Sequence, residues 1–112
     1  MVPLLQTGDQ VDLRPIARKD AQIGDIIVFT AANGIQVIHR VICTNPLQTR
    51  GDNRTGDDPP VPAESPVFHA VAFIRNGIRK ELTSGQAGRR EFRRNQRRCF
   101  AIHRIRMIVA PV

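Results

Sequence analysis

The sequence predicts a compact, mainly antiparallel β domain followed by a basic C-terminal helix. Three observations predict it. Short apolar runs rich in β-branched residues recur along the first three quarters of the chain, each bounded by Gly, Pro, Asn or Asp. Asn33-Gly34 and Asn76-Gly77 each stand between two such runs, and Asn-Gly favours hairpins because both residues tolerate positive φ. After Gly85 the pattern changes to a helix-compatible one, with apolar residues spaced among arginines.

Val11 to Leu13 forms a short β-type segment after the Gly8-Asp9 turn. Pro15 and the polar Arg18-Lys19-Asp20 form a connection. Ile26-Ile27-Val28-Phe29, framed by Gly24-Asp25 and Ala31-Ala32-Asn33-Gly34, reads as a buried strand ending in a turn. Ile35 to Cys43 supplies the return strand, and alternation places Ile35, Val37, His39 and Val41 on one face. Gln48-Thr49-Arg50 adds a short strand leading into a loop from Gly51 to Asp58. Pro59, Pro60, Pro62 and Pro66 keep the next stretch extended or turned. Val67 to Ile74 is a further strand, and Ile78 to Leu82 pairs back on it. Gln86 to Met107 is the helix. The chain thus divides into a β domain over 1–83 and a basic segment over 84–112.

A length of 112 residues suits one domain with a modest core. Hydrophobic content of 41% and charged content of 24% exclude a disordered chain. With no Trp or Tyr, the core is built from Ile, Val, Leu and a few Phe. No apolar run approaches the roughly 20 residues that cross a bilayer, and no secretory leader pattern is visible. Cys43 and Cys99 do not make a metal-binding spacing; a disulfide between them is an alternative that spacing does not decide, and both read as simple thiols, with Cys43 buried in a strand. The net charge of +7 is local. Eight arginines lie between Arg89 and Arg106, and the remainder is close to neutral.

Three segments carry the chemistry. The chain opens Met1-Val2-Pro3-Leu4-Leu5-Gln6-Thr7-Gly8-Asp9. Ile38-His39-Arg40-Val41 follows, and then Gly51-Asp52-Asn53-Arg54-Thr55-Gly56-Asp57-Asp58. In this order, with Gly24-Asp25-Ile26-Ile27-Val28-Phe29 between the first two, they resemble the type I signal peptidases. The resemblance is to the branch that pairs a serine nucleophile with histidine, and it covers about Met1 to Phe73. In that family the first segment begins Ser-Met-x-Pro, so the nucleophile would be the residue before Met1.

The resemblance implies a fold of the signal-peptidase and self-cleaving-repressor type and a serine endopeptidase mechanism. His39 matches the general base, Asp58 the acid that orients it, and Asp52 a second acid that organises the loop. Met1 and Pro3 match residues beside the nucleophile that shape the substrate turn. These roles make chemical sense. Attack by a hydroxyl needs a base, neutral imidazole suits that task near neutral pH, and a carboxylate fixes the imidazole tautomer. The implied substrate is an extended peptide or preprotein with small side chains near the cut. No cofactor or metal is implied. Membrane association would follow from an anchor upstream of Met1, and a cytoplasmic location from its absence.

The sequence departs from the family in three places. Its only serines, Ser65 and Ser84, lie outside a Ser-Met-x-Pro setting. Arg54 replaces the family's second asparagine after Gly-Asp-Asn. The arginine-rich segment has no counterpart there. Lys19 and Lys80 do not fit the lysine base of the repressor branch. A calcium loop is excluded for residues 51–58, because no terminal Glu or flanking helices are present.

Plainer readings stand beside these. His39 would be a partly buried strand histidine, and Asp52, Asp57 and Asp58 turn formers. The loop composition does not decide between Asp57 and Asp58 as the partner of His39. His69 and His103 read as structural or surface residues. On these readings the chain is a non-catalytic relative that binds peptide or a partner. A third reading places function in the Arg89–Arg106 segment, which would contact an anionic membrane surface. Nucleic acid is the less favoured partner, because no aromatic residues are interleaved for base stacking.

Overall fold

The computed structural model describes residues 5–109, with side chains described from residue 5 to residue 98. The elements in chain order are β1 (Gln10–Pro15), a single 3-10 turn (Arg18–Asp20), β2 (Ile26–Thr30), β3 (Gln36–Thr44), β4 (Leu47–Arg50), β5 (Phe68–Arg75), β6 (Ile78–Glu81) and α1 (Gly85–Val109). The strands form one antiparallel sheet in the order β1-β5-β2-β3-β4, and β6 pairs with β5. β5 meets β2 through its first residues and β6 through its last, with β1 along its other edge.

Period-two alternation explains how this sheet packs. Successive side chains of β2 leave on opposite faces. Ile27 and Phe29 join one apolar cluster with Val41, Leu47, Val61 and Val67. Ile26 joins the other, with Leu5, Ala70, Phe73 and Leu82. β2 is therefore covered on both faces, as its continuous apolar run requires. The β2–β3 hairpin pairs Ile27 with His39 and Ile26 with Arg40. That register seats His39 beside the first cluster's strand positions and sends Arg40 to the opposite face.

Two details differ from the sequence expectation. Ile35 precedes β3 and is 61% exposed, because the hairpin tip projects past the packed part of the sheet. Cys43 is half-buried, because the β3–β4 pairing shifts register between Val41 and Cys43 and β3 ends one residue later. Met1 and Pro3 lie outside the described residues, as do the side chains of Cys99 and His103.

Helix α1 docks on the sheet through backbone. A side chain at Gly24 would fall 1.9 Å from the Gly85 carbonyl oxygen, and one at Gly88 would fall 2.0 Å from the Gly24 carbonyl oxygen. Gly24 also has φ +102°, which only glycine adopts without strain. Asp25 completes the joint. Its carboxylate accepts hydrogen bonds from the Gln22 and Gly85 amides, each 2.9 Å, the latter an otherwise orphaned donor at the helix start.

Candidate active site

The site grows from two adjacent residues of β3. His39 and Arg40 point to opposite faces of one strand, and each reaches an aspartate of the 51–58 loop. His39 Nδ1 hydrogen-bonds Asp58 Oδ2. The imidazole is 12% exposed and the carboxylate 20%, so the pair is sheltered but open at one side.

Asp58 is held at three points. Its amide donates to the Thr49 carbonyl at 2.8 Å, its carbonyl accepts from Gln48 Nε2 at 2.8 Å, and its Oδ2 accepts from Thr49 Oγ1 at 2.7 Å. β4 therefore positions this carboxylate, with Thr49 fully buried beneath it. Asp57 turns the other way, its Oδ1 accepting from Arg50 Nε at 2.7 Å. The loop thus presents Asp58, and not Asp57, to His39.

With Nδ1–H given to Asp58, the neutral ring carries an acceptor at Nε2. Among the described residues no group bonds Nε2. Gly51 covers it closely: a Cβ there would lie 2.9 Å from Nε2 and 3.2 Å from Cδ2. Glycine at 51 therefore keeps backbone close to the ring without occupying the acceptor's space. Beside Asp58 lies a cleft of about 350 Å³, lined by Phe29, Ala31, Val37, Pro59, Pro60 and Pro62.

Asp52 does not touch His39. It is fully buried and receives Arg40 through Nε to Oδ1 at 3.1 Å and Nη2 to Oδ2 at 2.9 Å. Arg40 is also fully buried, and its Nη1 donates to the Gly24 carbonyl at 3.0 Å and to Thr83 Oγ1 at 3.1 Å. From α1, Asn95 Nδ2 donates to Asp52 Oδ2 at 2.8 Å. Gln96 Nε2 donates to the Asp52 carbonyl at 2.9 Å and reaches the Gly51 carbonyl at 3.3 Å. The loop residue that shelters His39 is therefore bonded from the C-terminal helix.

Sequence reasoning missed Arg40, Thr49, Gly51, Asn95 and Gln96. One signal was present for the last two: Asn95-Gln96 interrupts an arginine run with uncharged polar residues, as a buried helix face requires. Arg40 carried none, since burial of an arginine follows from partners distant in sequence. Neither serine joins the site. Ser65 Oγ accepts from the Thr30 amide at 2.8 Å and donates to the Pro66 carbonyl at 3.0 Å, and Ser84 is exposed at the helix start. His69 is half-buried on β5, its Nε2 4.0 Å from Asp25 Oδ1 and without a hydrogen-bond partner among the described residues. Among those residues no cluster of His, Cys, Asp and Glu could hold a metal ion.

The arrangement can accept a proton at His39 Nε2 and stabilise the resulting imidazolium against Asp58. No family model, curated protein or solved structure matches this chain.

Proposed function

We propose that this chain is a serine endopeptidase domain of the signal-peptidase type, whose nucleophile is a serine directly before Met1. The observation that carries the reading is the His39–Asp58 pair, bonded through Nδ1, with no partner on Nε2 among the described residues. The serine Oγ attacks the scissile carbonyl while His39 Nε2 takes its proton. His39 then returns that proton to the leaving amine, and water repeats the cycle to release the acyl group. Asp58 holds the tautomer throughout. Asp52 acts on the loop's shape through Arg40 and α1, without contact to the reacting atoms. Met1 and Pro3 would shape the turn beside the nucleophile. The substrate is an extended peptide or preprotein, with one apolar side chain received by the cleft between Phe29 and Pro62. The signal-peptidase-type fold belongs to this proposal as well.

The test is to extend the chain by one serine ahead of Met1 and treat it with a fluorophosphonate serine probe. The expected result is covalent labelling of that serine, lost in His39→Ala. A folded, extended protein that takes no label would overturn the proposal and leave a non-catalytic, peptide- or partner-binding domain as the better account.

A further inference from the structure

Helix α1 has two unlike faces. Its inner face is Gly88, Asn95 and Gln96, all buried against the β domain. Its outer face carries Arg89, Arg90, Arg93, Arg94, Arg97 and Arg98, all exposed. Five of these, Arg89 apart, surround a shallow depression of about 600 Å³. Among the described residues no carboxylate pairs with any of the six. The helix's single acid, Glu91, is drawn inward, where it accepts from Thr83 Oγ1 and stands 3.9 Å from the buried Arg40. The one negative charge that would temper the arginine face is thus used in the joint with the sheet.

This polar joint also fixes where the arginines point. Capping by Asp25, the Gly24–Gly88 contact and the Asn95 and Gln96 bonds hold α1 in one orientation, so its cations form a preorganised array. Guanidinium groups bind phosphate in planar, bidentate fashion. A duplex offers phosphates and groove base edges with no apolar phase beyond them, and a single strand favours aromatic platforms. The chain has no Trp or Tyr, and Phe92 is half-buried beside Gly24 and Val41. An anionic bilayer offers phosphates over hydrocarbon. In the sequence the arginine stretch leads into Phe100, Ala101, Ile102, His103, Arg104, Ile105, Arg106, Met107, Ile108 and Val109, where apolar residues outnumber the two further arginines, a mixture that suits a surface of that kind. No helix among the described residues is long and apolar enough to cross a membrane.

We infer that the outer face of α1 is a docking surface for an anionic lipid bilayer, with the arginines on the headgroup phosphates. The inference is independent of the peptidase reading. Its test is flotation of the full chain with phosphatidylcholine vesicles, with and without phosphatidylserine, at low and high salt. The expected result is binding to the phosphatidylserine vesicles alone, lost at high salt. The double variant Arg90→Gln, Arg94→Gln should bind about 30-fold more weakly, from about fivefold for each basic residue near the surface. Both residues are exposed, so an unchanged urea midpoint certifies the variant's fold. Three results would overturn the inference: equal behaviour on both vesicles, full binding by the double variant, or complete transfer of the protein from vesicles to a mixed-sequence duplex DNA competitor.

Discussion

His39–Asp58 and Arg40–Asp52 are neighbouring pairs built from one strand and one loop, and they serve opposite ends. The first lies at a partly open face, with one ring nitrogen bonded and the other without a hydrogen-bond partner among the described residues. The second is sealed, with both side chains at 0% exposure and five hydrogen bonds from the arginine's three nitrogens to Asp52, Gly24 and Thr83. The difference teaches that an acid–base pair becomes chemistry only where one valence is left over. A buried pair whose nitrogens and oxygens all bond within the fold is a structural joint, and its main property is the cost of breaking it.

The contrast can be broken most severely at Asp52. Asp52→Ala leaves the Arg40 cation buried without its main partner and should destabilise the fold by about 3–5 kcal/mol. Asp58→Asn keeps the size and much of the bonding at a partly solvated position, and should cost about 1 kcal/mol. Urea unfolding of the two variants measures both. Equal losses would show that the two pairs do not differ as described. On the proposed peptidase reading, Asp58→Asn in the serine-extended chain should lose orders of magnitude in rate while remaining folded.

A smaller effect sharpens the role of α1. Asn95→Ala removes one hydrogen bond to a buried carboxylate that Arg40 still neutralises, a loss of about 1.5–3 kcal/mol. Arg94→Ala on the exposed face of the same helix should stay within about 0.5 kcal/mol of the parent. If the two variants melt together, α1 is not fastened to the loop through Asn95.

The smallest effect concerns a third pair, at the sheet's edge. Asp9 accepts from Arg75 Nε at 2.8 Å and Nη2 at 2.7 Å, and this guanidinium, aided by the Gln6 amide, holds the Asp9 carboxyl down to about 2 from 3.8. A lowered folded-state value stabilises the folded form where the carboxyl is ionised. That contribution is complete above pH 3.8 and disappears as the pH falls towards about 2. Asp9→Asn should therefore lower the urea midpoint at neutral pH and flatten its decline across that acid window. A variant whose acid profile overlays the parent's would rule this out.

Much of the fold could be read from local pattern. The apolar run at Ile26–Phe29, the Asn33-Gly34 and Asn76-Gly77 turns and the change of period after Gly85 place β2, β3, β5, β6 and α1 within a few residues. These signals are legible because alternation, turn conformation and helical spacing are properties of neighbouring residues. The order β1-β5-β2-β3-β4 was not legible. It depends on which edges meet once the chain has folded back over tens of residues.

The sequence by itself determined that His39 and Arg40 face opposite sides of a strand, since successive residues of β structure must alternate. It also set the pool of acids within reach, Asp52, Asp57 and Asp58. Only the tertiary structure decided the partners. Asp58 goes to His39 because β4 fastens its backbone and carboxylate through Gln48 and Thr49. Asp52 goes to Arg40 because α1, seated on Gly24 and capped by Asp25, brings Asn95 and Gln96 down on the loop. Such choices rest on many long-range contacts satisfied together, and a buried charge is tolerated only where that sum provides all of its partners.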